Sequence, residues 1–80
     1  MLDFLETFLA VAAAGSFSLV ARRQNVAVSS ITRKIDALES EMGSRLFHRS
    51  SRRLVLTDAG EQFVPRARNV IAELAEAKEA

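Results

Sequence analysis

"VSSITRKIDALESEMG", residues 28–43, is the stretch on which the fold turns. Val28, Ile31, Ile35, Leu38 and Met42 recur every three or four residues, and at about 100° per residue they form one apolar stripe along a helix spanning 28–42. Gly43 stands one residue beyond it as a stop, because the left-handed backbone that ends many helices costs glycine least. Ser29 and Arg33 project nearly opposite the stripe, with Ser30, Thr32 and Lys34 at its sides and Glu39 and Glu41 at the far end of the exposed face. Such a helix buries one side and turns hydroxyls, two cations and the positive end of its dipole outward.

Working upstream, Phe4, Leu5, Phe8, Leu9 and Ala12 mark an amphipathic helix that Gly15 ends. Ser16 or Ser18 then caps a short second helix over 19–24, and Asn25 tolerates the turn that follows. Two helices joined by a tight turn, the second polar and basic at its outward N-terminal end, match the helix-turn-helix scheme, in which that end enters the major groove of DNA. Ser29 doubles as a candidate N-cap of the helix, whereas Arg33 is not needed for capping and is the stronger candidate for a base or phosphate contact. Lys34 reads as a phosphate contact.

Downstream of Gly43 the pattern changes. "RLFHR" (45–49) and "RLVLT" (53–57) flank "SSR", which predicts a short β-hairpin with Arg49, Arg52 and Arg53 at its tip. A hairpin so small must lean on the helices, and its arginines suit a narrow minor groove or phosphates. Thr57 or Asp58 begins a last helix, along which Phe63, Ala67, Val70, Leu74 and Ala77 form a coiled-coil-like seam. Pro65 lies inside that helix and predicts a kink or a wider turn. Nothing caps the chain at Ala80, which suggests a domain of a longer protein.

The 80 residues, 49% apolar and 26% charged, suit one small soluble domain whose limited core makes dimerisation worth seeking. Net charge is only +1, but residues 22–53 hold eight bases against three acids, while the flanking segments are each acidic. That asymmetry suggests a polyanion-facing middle on an otherwise indifferent scaffold. There is no cysteine, and His48 is the sole histidine, so no metal site, cofactor site or catalytic set can be assembled and an enzyme is not expected. Asp3 and Glu6 stand where a signal peptide would be basic, and the apolar run there is too short to span a membrane; a cytoplasmic chain is expected. The absence of tyrosine and tryptophan disfavours RNA. A protein-binding winged helix is the competing reading, separable by the salt dependence of binding to duplex DNA.

"GSFSLVARRQNVAVSSITRKIDALESEMGSRLFHRSSRRLVLTDAGEQF" resembles the N-terminal DNA-binding domain of LysR-type transcriptional regulators, most specifically in "AxxGSF" (12–17), "ITRKIDALE" (31–39), "GSRLFHR" (43–49) and "LTDAG" (56–60). The resemblance implies a mainly α fold: a winged helix-turn-helix over 1–57, with a three-helix core and hairpin wing, followed by a long linker and dimerisation helix over 58–80. By the same likeness Ser29, Thr32 and Arg33 take groove-facing positions, Arg52 the minor-groove position of the wing, and Ser18 a phosphate position. Implied partners are double-stranded DNA carrying an interrupted inverted repeat and a second copy of the chain, with RNA polymerase a candidate partner of the full-length protein. An effector-binding domain would follow, and the setting would be the bacterial cytoplasm, at the nucleoid. The chain departs from its likeness at Ala27 and Val28, where a serine-glutamine pair is usual. Val28 is thereby offered to a thymine methyl, yet the stripe buries it, and partial burial reconciles the two.

Overall fold

Three left-handed residues divide the N-terminal half of the chain. Gly15 (φ 67°), Asn25 (φ 57°) and Gly43 (φ 70°) each donate a backbone N–H into the last turn of the helix they end. The computed structural model describes residues 1–50 and 53–79. In order they form α1 (Leu2–Ala14), α2 (Phe17–Gln24), α3 (Val28–Met42), β1 (Phe47–Arg49), β2 (Leu54–Leu56) and α4 (Asp58–Glu79). The Ser16 hydroxyl accepts the Leu19 N–H at 3.1 Å, so Ser16 is the cap of α2. The helix consequently starts at Phe17, two residues before the expected position, and Ser18 falls in its first turn.

The core lies where α1 crosses α3 and α4. Phe8, Val11, Ile31, Ile35 and Leu38 are fully buried there, joined by Val20 and Ala21 from α2 and by Leu46 and Phe47 from the approach to the wing. The Phe8 ring sits 5.5 Å from that of Phe47 and 5.2 Å from that of Phe63, tilted to both. Aromatic pairs at such separations add to the stability of simple burial.

β1 and β2 pair antiparallel with Phe47 opposite Leu56, His48 opposite Val55 and Arg49 opposite Leu54. Of the hairpin tip, Ser51 and Arg52 lie outside the described residues. Thr57 joins the wing to α4. Its hydroxyl donates to the Arg45 carbonyl at 2.7 Å and accepts the Gly60 N–H at 2.9 Å, which makes Thr57 the cap of α4. Residues 58–79 then run as uninterrupted α-helix, and the wider turn expected at Pro65 is absent. Glu61, whose carbonyl loses its partner to the missing proline N–H, and Pro65 are both exposed, so water can satisfy that carbonyl.

Candidate nucleic-acid interface

The outward face of α3 begins without a side-chain cap. Ala27 occupies the N-cap position and offers no side-chain hydrogen bond, so Ser29 is a first-turn residue and not the cap. Ser29 and Arg33 are exposed, and Ser30 and Thr32 are half-buried. The Thr32 hydroxyl donates to the Val28 carbonyl one turn back at 3.1 Å. Arg33 forms no ion pair among the described residues.

The stripe is shorter than its periodicity indicates. Ile31, Ile35 and Leu38 are sealed, whereas Val28 is 43% exposed and Met42 46%. Neighbouring elements cover only the middle of α3, leaving both ends standing clear of the core. Val28 therefore keeps nearly half of its surface in solvent while the rest is covered, which is the partial burial expected of it. Lys34 is turned toward the start of α1, its Nζ 3.0 Å from Asp3 Oδ2. An ion pair so near the surface is worth little and can exchange.

The wing departs further from expectation. Arg49 is not at the tip but at the end of β1, folded back on α3, with Nη1 2.8 Å from Asp36 Oδ1 and Nη2 2.7 Å from Glu39 Oε1. Its guanidinium also stacks 5.3 Å from the centre of the Phe17 ring in α2. Glu39 is not an exposed acid at the end of α3: it is 6% exposed. Its Oε2 accepts the N–H groups of Leu46 and Phe47 at 2.8 and 3.3 Å, and its Oε1 accepts from Arg45 at 3.0 Å as well as from Arg49. One carboxylate thus ties the recognition-type helix to the first strand of the wing. Periodicity gave a weak hint, since Glu39 follows Ile35 by one turn on the edge of the stripe. Its partners, however, come from the segment 45–49, which only the reversal at Gly43 brings near.

Arg53 is exposed immediately before β2, its carbonyl accepting the Ser50 hydroxyl at 3.2 Å. Ser18 is exposed in the first turn of α2. Arg52, a principal wing candidate, lies outside the described residues.

The seam along α4 divides in two. Phe63 packs against Phe8, and Ala67 is 1% exposed within the core, so these positions face the chain's own α1 rather than a second copy. Beyond them Val70 and Leu74 are 52% and 38% exposed, and Ala77 is exposed. The start of α4 belongs to the core; its later turns carry an apolar strip with no partner in the described chain.

No helix among the described residues is long and apolar enough to cross a membrane. The family model described as "Bacterial regulatory helix-turn-helix protein, lysR family" matches residues 2–61. Among curated relatives, the HTH-type transcriptional regulator ShiR of Corynebacterium glutamicum (strain R) is 46% identical over 77 residues, covering 96% of this chain and 26% of ShiR. The HTH-type transcriptional regulator TfdT of Cupriavidus pinatubonensis is 43% identical over 68 residues, covering 85% of this chain and 30% of TfdT. The chain thus spans roughly a quarter to a third of the length of these relatives. Among solved structures, the CbnR DNA-binding domain in complex with DNA superposes with a TM-score of 0.93 at 35% identity, over 99% of this chain and 91% of that one. VV2_1132, a LysR family transcriptional regulator, also gives 0.93, at 38% identity, over 99% of this chain and 27% of that one.

Proposed function

The chain belongs to the lysR family of bacterial regulatory helix-turn-helix proteins, and from that premise we propose that it is the DNA-reading part of a transcriptional regulator, acting on double-stranded DNA as a dimer. The observation that carries this reading is the start of α3, where Ser29, Thr32 and Arg33, which has no ion pair among the described residues, form a hydroxyl-and-cation surface over the sealed Ile31, Ile35 and Leu38. In the major groove these residues face base edges, while Ser18 and Ser30 meet phosphates and Lys34 reaches one by exchanging Asp3. Arg52 and Arg53 serve the minor groove from the wing, and Arg49 holds the wing in position. Residues 1–57 are the reading head and 58–80 the dimerising helix, whose contact surface is the strip of Val70, Leu74 and Ala77.

The full-length regulator would bind an interrupted inverted repeat, with each half-site read by one head. The same reading places it in the cytoplasm at the nucleoid, with an effector-binding region and contact with RNA polymerase belonging to the rest of the protein.

Arg33→Ala tests the interface. It is expected to weaken binding by about 1 to 3 kcal/mol and to relax base preference at one position of each half-site. Fluorescence anisotropy against a library of single-base site variants reads both effects. An unchanged affinity and preference would remove Arg33 from the reading surface. In the same assay the parent chain should lose affinity steeply with salt, as phosphate contacts require; no duplex binding at low salt would favour a protein-binding module. Leu74→Glu tests the dimer: sedimentation should show a monomer where the parent self-associates, because a carboxylate cannot be buried unpaired between apolar strips. A parent and variant that sediment alike would place the contact elsewhere.

A further inference from the structure

The first turn of α3 carries an apolar group where a DNA-reading helix usually displays polar ones. Val28 is the first residue of the helix, and 43% of its surface stays in solvent beside the exposed Ser29. Thr32 lies one turn on, on the same face as positions four apart do, and its only hydroxyl proton is already given to the Val28 carbonyl. In this arrangement Thr32 presents a methyl group and oxygen lone pairs towards a ligand. The pair forms a small surface that is apolar and hydrogen-accepting, next to the cationic Arg33.

In the major groove the one apolar group on the edge of a standard base pair is the thymine C5-methyl; the other edge groups are donors and acceptors. Pressing an isopropyl group against those polar edges would strip their water without replacing its hydrogen bonds, which is unfavourable. Against a methyl group the same approach removes apolar surface from water on both sides. We propose that Val28, with the methyl of Thr32 beside it, recognises a pyrimidine 5-methyl group in each half-site and so sets a sequence preference of this protein. This deepens the DNA-binding reading above and rests on it. The same chemistry is displayed by thymine and by 5-methylcytosine, and substitution at a single atom separates them from uracil and cytosine.

The test begins with duplexes selected from random sequence by the 80-residue chain. Each thymine of a selected site is replaced in turn by deoxyuridine, and dissociation constants are measured for the parent chain and for Val28→Ala. At one position per half-site, loss of the methyl is expected to weaken the parent about three- to ten-fold, the scale of one or two buried methyl-sized groups. The variant should respond there by less than about two-fold, because the partner of the methyl is gone. Cytosine at that position should weaken the parent, and 5-methylcytosine should recover part of the loss. Val28→Ala leaves no cavity, being exposed, and an unchanged thermal unfolding midpoint verifies that it folds. Insensitivity of the parent to deoxyuridine at every position overturns the proposal, as does an equal loss in parent and variant, and neither result touches DNA binding itself. Failure to bind any duplex at low salt overturns both readings together.

Discussion

Glu39→Ala is expected to destabilise the domain by about 2 to 4 kcal/mol, because it strands two backbone N–H groups for which Glu39 is the acceptor among the described residues. Those groups belong to Leu46 and Phe47, both sealed in the core, and the carboxylate that serves them is itself 6% exposed. An unsatisfied buried donor costs roughly 1 to 3 kcal/mol, and two neighbouring donors share whatever relaxation is available. The ion pairs add less. Arg45 is largely exposed, and Arg49 keeps Asp36 when Glu39 is removed, so neither cation is left buried and alone. Urea denaturation should show the loss as a lower midpoint with an unchanged slope. Hydrogen exchange should show it locally, as faster exchange of the Leu46 and Phe47 amides. Glu39→Gln retains one carbonyl oxygen and should fall between parent and alanine. Equal stability of the alanine variant and the parent would mean that these N–H groups find water.

The consequence reaches function through geometry. β1 starts at Phe47, the second of the two residues whose N–H groups Glu39 holds, and Arg49 at its other end is held by Asp36 and Glu39 of α3. The wing is thus indexed to the recognition helix by α3's own acids. If the proposed reading of two grooves at once holds, the separation of the reading elements matters as much as their chemistry. Glu39, which as a sequence pattern looks like an exposed acid at the far end of α3, here acts as an anchor.

That difference shows where sequence reasoning reached and where it stopped. Gly15, Asn25 and Gly43 were legible as boundaries because each has a local reason, a left-handed backbone, that needs no knowledge of the rest of the chain. Ile31, Ile35 and Leu38 were legible because a helix can bury only one side. Periodicity tells which side is buried but not how far the covering surfaces extend, so the stripe runs on to Met42, where the core has already ended. The same gap placed Phe63 and Ala67 in a seam between copies, when α1 of the same chain covers them. Buried polar groups are the least legible. Glu39 and Arg49 have the composition of surface residues, and their partners are set by the chain reversal after Gly43 and by the stacking on Phe17.

Gly60→Ala opposes two effects of opposite sign, and their sizes decide the outcome. Within a helix, alanine is ordinarily better than glycine by about 1 kcal/mol, so an exposed position would gain stability. Gly60 is buried in the first turn of α4, where an added Cβ would collide with the Leu46 carbonyl oxygen and come within 2.8 Å of Leu56 Cδ2. The leucine side chain can swing aside, but the carbonyl cannot, because it accepts the Thr57 N–H at 3.0 Å and the N–H of the same residue is held by Glu39 at 2.8 Å. The start of α4 must move instead, which strains the Thr57 bonds to Arg45 and to Gly60 that fasten the helix to the wing. Overpacking of this kind, with hydrogen bonds loosened as well, exceeds the propensity gain and leaves a net loss of about 2 to 4 kcal/mol. For a domain of this size the unfolding midpoint should fall by roughly 10 to 20 °C. Thr57→Val would remove the cap and its bond to Arg45 without the collision, and should cost less, about 1 to 2 kcal/mol. A midpoint for Gly60→Ala at or above that of the parent would show that α4 can shift along Leu46 without loss, and that its junction with the wing is a hinge rather than a fixed joint.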